Sequence, residues 1–151
     1  FPDASYITRD AELAYWTSAE TREKLGERVQ SIMGYLDVLD FKTVSAGEEI
    51  ATGVKVMAIP GHTMGQSALL IQDGDDALLH LVDTLHSTAQ FTNPQWHFVW
   101  DTDAERGVQT RRAQLGNALN RQMMTMFYHL PFPGIGYVKR DGKAFAWEPI
   151  S

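Results

Sequence analysis

The stretch Pro60-Gly61-His62-Thr63-Met64-Gly65-Gln66-Ser67 joins two short apolar runs, Val54 to Ile59 and Ser67 to Ile71. Short apolar runs bounded by Pro and Gly are typical of buried strands. A rigid strand end can hold a side chain in place while the loop that follows presents it to a cleft. We therefore predict two strands, with His62 at the end of the first.

The same arrangement, an apolar run that ends in a polar residue, occurs twice more. Ala77 to Val82 is followed by Asp83, and Met123 to Tyr128 ends at His129. Imidazole and carboxylate are the ligands that suit a hydrolytic zinc ion or a similar divalent ion. A lone histidine at a strand end is more often a structural residue that forms hydrogen bonds, so the pattern alone leaves both interpretations open.

The rest of the chain mixes helical and strand patterns, which predicts an α/β fold. Helical segments are predicted from their spacing and caps over Ala11 to Trp16, Ser18 to Leu39 and Asp101 to about Arg121. A short strand is predicted at Ser5 to Thr8, and a hairpin turn at Asp141-Gly142. We predict one domain over residues 1–151.

Composition excludes several classes of function. The chain has 151 residues, 44% of them hydrophobic, so it can bury a core. Its 13 Lys and Arg against 19 Asp and Glu form no basic cluster, so we expect no nucleic-acid partner. No apolar run approaches the roughly 20 residues that cross a bilayer, so we expect a soluble protein with no membrane partner. Since there is no Cys, any metal must be held by His and carboxylates.

The loop Pro60 to Ser67 resembles the Gly-His-Thr loop of the metallo-β-lactamase superfamily. In that resemblance Asp83 stands where the bridging aspartate is expected, and His129 where the last metal-binding histidine is expected. A more specific resemblance is to the methyl parathion hydrolase-like branch, and it rests on four segments: Phe1-Pro2-Asp3-Ala4, Gln90-Phe91 with Pro94, Asp101-Thr102-Asp103, and His129-Leu130-Pro131-Phe132-Pro133-Gly134-Ile135-Gly136.

The resemblance implies the C-terminal part of an αβ/βα sandwich, two mixed sheets with helices on their outer faces. The His-x-His-x-Asp-His motif of the superfamily is expected just upstream of Phe1 and is not in this sequence. Each of the two implied zinc or other divalent metal positions then keeps one His, either His62 or His129, and the shared Asp83, so we expect weak or partial occupancy. The residue before the bridging Asp is usually Gly and is Val82 here.

The implied function is hydrolysis of a small-molecule ester, lactone or phosphotriester by metal-activated water, with Asp83 as the catalytic residue that positions the water. As a fragment the chain is expected to be inactive. The alternative is a catalytically silent fold remnant or an oligomerisation module without a full metal site. Apolar faces uncovered by the missing half predict a homo-oligomer, a dimer in the simplest case. The sequence leaves the cellular location open.

Other histidines and aromatic residues receive weaker interpretations. His86 is either a donor to the metal ligands or a structural loop histidine; His80 is expected to pack inside a strand and His97 to face solvent or an interface. The resemblance and the positions after two ligands suggest Phe91, Phe132 and Trp16 as walls of a substrate pocket. The alternation of Trp96, Phe98 and Trp100 predicts three rings on one face of a strand, as part of a subunit contact.

Overall fold

A computed structural model describes residues 1, 3–25 and 33–150. The described elements are, in chain order, β1 (Tyr6–Arg9), α1 (Asp10–Thr17), α2 (Ala19–Lys24), a 3-10 turn (Gly34–Asp37), β2 (Phe41–Val44), β3 (Glu49–Ala51), β4 (Val54–Ala58), β5 (Ser67–Asp73), β6 (Asp76–His80), a second 3-10 turn (Val82–Thr84), α3 (Ala89–Thr92), α4 (Ala104–Arg121), β7 (Met124–Met126), β8 (Ile135–Asp141) and β9 (Ala144–Pro149). Among these helices none is long and apolar enough to cross a membrane.

The strands form two sheets. One is the parallel pair β1–β2, and the other has seven strands in the order β3-β4-β5-β6-β7-β8-β9. Within the larger sheet every pair is antiparallel except β6 and β7, which are parallel and lie on either side of the crossover that contains α4. Because parallel neighbours end at the same edge, the residues that follow β6 and β7 are brought together.

The larger sheet contains two tight hairpins, and the second of them confirms the turn predicted at Asp141-Gly142. β5 and β6 pair up to Asp73 and Asp76, and β8 and β9 pair up to Asp141 and Ala144. Each loop therefore has two residues. Tight loops of this length need residues with positive φ, and Gly74 and Gly142 have φ of 58° and 54°.

The hydrophobic core lies between α4 and one face of the seven-stranded sheet. Leu79 and Phe127 from the sheet side and Leu115 and Ala118 from α4 are all buried in one cluster. Since side chains alternate along a strand, the neighbours of these residues point to the opposite face. That face carries Leu69, Ile71, Leu78, Met124 and Tyr137, which are only partly buried or exposed.

Most predicted elements are confirmed, with boundaries that differ by a few residues. The strands predicted at Val54, Ser67, Ala77 and Met123 are β4 to β7, and the helix that ends at Arg121 is α4. The long helix predicted over Ser18 to Leu39 is described only as α2 and the 3-10 turn Gly34–Asp37, while residues 26–32 lie outside the described part of the chain. Strands β2 and β3 were not predicted.

The predicted strand through Trp96, Phe98 and Trp100 is wrong, because this segment consists of turns and irregular backbone. Its polar backbone groups bind side chains instead of a neighbouring strand. The carbonyl of Trp96 accepts hydrogen bonds from Gln90 Nε2 at 2.9 Å and Arg111 Nη1 at 2.6 Å, and the N–H of Phe98 donates to Asp101 at 2.9 Å. Satisfied in this way, the segment needs no strand partner.

Candidate metal centre

The loop that carries His62 is fastened directly to the start of α4. Gly61 has φ of +145°, and a Cβ at this position would lie 2.3 Å from the Cα of Gly107, so the two backbones touch. The carbonyls of Gly61 and His62 accept hydrogen bonds from the N–H groups of Asp103 and Thr102, both at 3.0 Å. A glycine at position 61 is therefore required by both its φ and the close approach.

Asp101 orients the His62 ring. Its Oδ1 lies 2.9 Å from His62 Nδ1, its Oδ2 accepts the N–H of Phe98, and its side chain is only 2% exposed. The bond to Asp101 raises the pKa of His62, against the opposing effect of burial. Burial works against the Asp101 carboxylate, but the hydrogen bonds from His62 and Phe98 outweigh it and lower the pKa of Asp101. With Nδ1 engaged, Nε2 of His62 is the nitrogen left to bind a ligand.

Glu12 of α1 holds the far side of the same loop. Its Oε2 accepts hydrogen bonds from Thr63 Oγ1 at 2.7 Å and from the N–H of Gly65 at 2.8 Å. Its Oε1 accepts the indole N–H of Trp16 at 2.8 Å. Because one carboxylate binds three donors from the loop and its own helix, α1 fixes the loop conformation that presents His62.

Asp83 and His129 meet at the shared end of β6 and β7. Asp83 lies in the 3-10 turn after β6, and His129 follows β7 by three residues. His129 Nε2 lies 2.8 Å from Asp83 Oδ1, but the two atoms do not form a hydrogen bond. Asp83 Oδ1 is buried and has no hydrogen-bond partner among the described residues. Two potential ligand atoms this close, without a bond between them, fit a site that is completed by a cation.

His86 lies between the other histidines. Its ring centroid is 4.7 Å from that of His62 and 4.7 Å from that of His129, and it stacks on Phe98 at 4.1 Å. Its Nδ1 is buried without a hydrogen-bond partner in the described chain. Burial, together with the two neighbouring imidazoles, lowers the pKa of His86 to about 4. His86 is therefore neutral at pH 7 and has a lone pair available for a metal.

Two overlapping groups of side chains have metal-ligand geometry. One consists of His62, His86 and Asp101, and the other of Asp83, His86 and His129; in each group the potential ligand atoms lie within 4.8 Å of one another. In the first group Asp101 already binds both His62 and a backbone N–H. The second group combines Asp83 Oδ1 and His86 Nδ1, both buried without a hydrogen bond to any described residue, so its residues are the better fit for a cation.

A buried arginine and a glutamine hold the loop that carries these residues. Arg111 of α4 is 2% exposed and donates to the carbonyls of Thr84, Pro94 and Trp96 at 2.6 to 3.0 Å. Burial lowers its pKa, against the opposing attraction of Asp101. Gln90 Oε1 accepts the N–H of His86 at 2.7 Å. Hydrogen bonds from the buried Arg111 thus connect the loop from Asp83 to Asp101 to α4.

A cavity of about 430 Å³ adjoins His62 and Asp83. Its wall is largely apolar, with Glu12, Thr63 and Ser67 among its polar members, and it includes Ile7, Val44, Ile50, Val56, Leu69 and Val82. Phe91, Phe132 and Trp16 do not line this cavity, and their role as pocket walls stays a prediction.

The three aromatic residues lie elsewhere for identifiable reasons. Phe91 is 2% exposed and packs in the core, 5.5 Å from the ring of Phe127 and 5.4 Å from that of Trp147. Phe132 is 98% exposed in the loop beyond His129. Trp16 donates its indole N–H to Glu12, whose carboxylate binds the loop that carries His62.

Three residues that shape the site were not identified from the sequence as part of it: Glu12, Asp101 and Arg111. Asp101 was interpreted as a helix cap, whereas Asp103 is the N-cap of α4 and accepts the N–H of Arg106. Arg111 carried a recognisable signal, because it falls on the apolar stripe Val108, Leu115 and Ala118 at helical spacing. A charged residue on such a stripe indicates a buried group with polar partners.

The chain superposes over its whole length on two solved hydrolases. One is AidC, a dizinc quorum-quenching lactonase in complex with a product, with a TM-score of 0.87 and 25% identity. The other is AbOPH, a hydrolase in the β-lactamase superfamily, with a TM-score of 0.85 and 29% identity. The chain spans 56% of the length of each. A probable metal-dependent hydrolase from Staphylococcus aureus matches 96% of this chain and 52% of its own, with a TM-score of 0.68 and 16% identity.

No protein-family model and no curated protein matches the sequence. The structural similarities nevertheless confirm the predicted fold: the chain has the mixed α/β architecture of metallo-β-lactamase-fold hydrolases. Its structural neighbours include a dizinc enzyme and metal-dependent hydrolases, and the chain itself carries groups of residues with metal-ligand geometry.

Proposed function

We propose that this chain contributes His62, Asp83 and His129 to the metal centre of a hydrolase that cleaves small-molecule esters or lactones. The observation that carries the proposal is the arrangement at the end of β6 and β7. There a buried Asp83 oxygen, which has no hydrogen bond to any described residue, lies 2.8 Å from His129 Nε2, with His86 between His129 and His62. Strand ends hold these side chains rigidly, as a hydrolytic site requires.

Zinc or another divalent ion bound here would acidify a water molecule for nucleophilic attack and polarise the scissile carbonyl or phosphoryl group. Residues of this chain hold the potential metal ligands in position. Asp101 fixes the tautomer and orientation of His62, and Glu12 fixes the loop that carries it. Asp83 would help to hold the ion and would orient the attacking water.

The resemblance to the superfamily implies two metal ions in a complete centre. His62 and His129 would then belong to different ions, with Asp83 between them. Since the chain spans 56% of AidC and AbOPH, the proposal applies to the whole protein that contains this chain. For the chain alone we propose that this two-metal centre is only partly occupied, because His62, Asp83 and His129 give each of the two ions fewer than the three protein ligands of a stable catalytic zinc.

For the substrate we propose an uncharged ester with an apolar part, in first place a lactone. AidC is a lactonase solved with a product, and the cavity beside His62 and Asp83 has a mainly apolar wall. A phosphotriester is the second candidate, supported by the similarity of four sequence segments to the methyl parathion hydrolase-like branch. Both substrates need the same polarisation of a doubly bonded oxygen, so the metal ligands do not distinguish them.

We also propose that the chain associates with itself, in the simplest case as a dimer. The face of the seven-stranded sheet opposite α4 carries Leu69, Ile71, Leu78, Met124 and Tyr137, which remain partly accessible to solvent. Contiguous apolar surface of this kind tends to be covered by a partner.

The test is a hydrolysis assay with the whole natural protein, purified with zinc, on an acyl homoserine lactone, an aryl ester and a phosphotriester. We expect activity on at least one substrate, its loss on chelation, and a decrease of kcat/KM of at least about 100-fold in Asp83→Asn, because several kcal/mol of transition-state stabilisation depend on the metal. His97→Asn, at an exposed histidine outside the cluster, is the matched control. Full zinc occupancy without activity on any of the three would favour the catalytically silent alternative.

A further inference from the structure

We infer that Asp83, His86 and His129 form a three-ligand site that binds one divalent cation, with zinc the best fit, using residues of this chain alone. The inference goes beyond the proposed function because it makes His86 a metal ligand. It does not depend on hydrolysis: a chain that binds one ion at these residues satisfies it whether or not the protein is an enzyme.

The distances in this trio suit a single ion. The potential ligand atoms all lie within 4.8 Å of one another, and His129 Nε2 is 2.8 Å from Asp83 Oδ1. In a tetrahedral zinc site with bonds of about 2.0 to 2.1 Å, the ligand atoms are about 3.3 Å apart. The separations of the potential ligand atoms therefore differ by at most about 1.5 Å from those of a bound zinc site.

The trio contains the unsatisfied polar atoms that such an ion would satisfy. Asp83 Oδ1 and His86 Nδ1 are both buried, and neither has a hydrogen-bond partner in the part of the chain that the structure describes. Native proteins pair nearly all of their buried polar atoms, so two such atoms in one cluster need an explanation. A cation bound between them supplies that explanation.

The three side chains are also held in place before any ion binds. Asp83 lies in the 3-10 segment Val82–Thr84, and His86 comes two residues after the end of this segment. The backbone N–H of His86 donates to Gln90 at 2.7 Å, and its ring stacks between Phe98 and His129. His129 follows β7, which is the parallel neighbour of β6. Ligands that are ordered in advance lose little conformational freedom on binding.

The other group of potential ligands is less suited to the ion. His62 Nδ1 is bonded to Asp101 Oδ1, and Asp101 Oδ2 accepts the N–H of Phe98. Both carboxylate oxygens of Asp101 therefore accept hydrogen bonds, while Asp83 Oδ1 has no hydrogen-bond partner among the described residues and lies 2.8 Å from Nε2 of His129, another member of the trio. The trio also has the composition of known three-ligand zinc sites, two imidazoles and one carboxylate, which leave a fourth position for water or substrate.

The test is calorimetric titration of the metal-free 151-residue chain with Zn²⁺. We expect one ion per chain, and an affinity at least about 100-fold lower in His86→Phe, since one of three ligands is removed. Phe keeps a flat ring against Phe98, so the variant retains the packing of His86. The matched control is His97→Phe at an exposed histidine, which should bind zinc as the unsubstituted chain does. Circular dichroism and thermal unfolding verify that both variants are folded.

A third variant, His62→Ala, separates the two groups of ligands. We expect its zinc affinity to remain within about threefold of the unsubstituted chain, because His62 is not in the trio. Unchanged zinc binding in His86→Phe would overturn the inference, and so would a loss in His62→Ala equal to that in His86→Phe. Neither result would contradict the proposed hydrolase activity, which the assay on the whole protein tests separately.

Discussion

At the scale of single residues, the backbone before Asp83 is strained. Val82 has φ of +38°, in the left-handed region that β-branched residues rarely adopt. This conformation turns the chain from β6 into the 3-10 segment that presents Asp83, and the Val82 carbonyl accepts the N–H of Tyr128 at 3.3 Å. The left-handed backbone gives a physical reason why glycine suits position 82. In this chain the position is a valine, and its side chain packs against the hydrophobic core.

The strain at Val82 predicts an unusual order of stabilities. Val82→Gly and Val82→Ala both lose the contacts of the isopropyl group, but only glycine relieves the left-handed conformation. We expect Val82→Gly to be more stable than Val82→Ala by about 1 kcal/mol. Urea denaturation of both variants measures the difference. Equal stabilities, or a more stable alanine variant, would mean that the backbone at position 82 is unstrained.

A second prediction at this scale concerns the residue that orients His62. Asp101→Asn should lower the kcat/KM of the whole zinc-loaded protein by about 10- to 100-fold, because partners of a metal ligand typically contribute that much. Asp103→Asn is the matched control, since Asn caps a helix as well as Asp does and position 103 is the N-cap of α4. An unchanged kcat/KM in Asp101→Asn would show that His62 does not depend on its carboxylate partner.

At the scale of elements, α4 organises the site. It lies in the crossover between the parallel strands β6 and β7, packs on the sheet through Leu115 and Ala118, and touches the His62 loop at Gly107. Its buried Arg111 binds the carbonyls of the loop that carries Asp83 and His86. The helix therefore connects the three segments that contribute ligands, and changes in it should affect the site as well as the stability.

Two glycine substitutions test how α4 is built. A Cβ at Gly116, inside the helix, meets no atom within 4 Å, so Gly116→Ala should stabilise the protein by about 0.5 to 1 kcal/mol through helix propensity. Gly61→Ala should destabilise it, because the new Cβ would lie 2.3 Å from the Gly107 backbone. Thermal unfolding of both variants gives the comparison. A loss of stability in Gly116→Ala, or none in Gly61→Ala, would contradict this packing.

At the scale of the whole molecule, the seven-stranded sheet has unequal faces. One face is covered by α4, while the other keeps apolar side chains accessible, with Ile71 at 38% exposure. The carboxyl ends of β6 and β7 carry the candidate metal ligands at the edge between these faces. A surface that covers the accessible face, in a partner or a second copy, would also lie close to the ligands.

Self-association through this face is the prediction at this scale. Light scattering on the chain at micromolar concentration should give a mass above 16.9 kDa, near twice that value for a dimer. Ile71→Lys, at an exposed position of the accessible face, should shift the mass towards the monomer because a charge in an apolar contact is costly. Gln72→Lys, the next residue on the opposite face, is the control. A monomer at all concentrations would contradict the proposed association.

Much of the local structure could be predicted from the sequence. Turn residues and short apolar runs located β4 to β7 and the final hairpin, because turn geometry and burial leave a pattern within a few neighbouring residues. The same patterns placed His62, Asp83 and His129 at strand ends, and the resemblance to one superfamily indicated the fold. Strand β2 and the irregular segment around Trp96 were not predicted, because their conformations depend on residues elsewhere in the chain. Strand β2 pairs with β1, and the carbonyl of Trp96 binds Gln90 and Arg111.

The tertiary structure alone decided which side chains surround those residues. Asp101 binds His62 across 39 positions, and Glu12 binds Thr63 across 51. His86 could be placed between His62 and His129 only after the loop had folded against Arg111. Hydrophobic periodicity and turn chemistry act between near neighbours in the chain. A hydrogen bond or a shared ligand position between distant residues depends on how helices and sheets pack, and packing leaves no local pattern in the sequence.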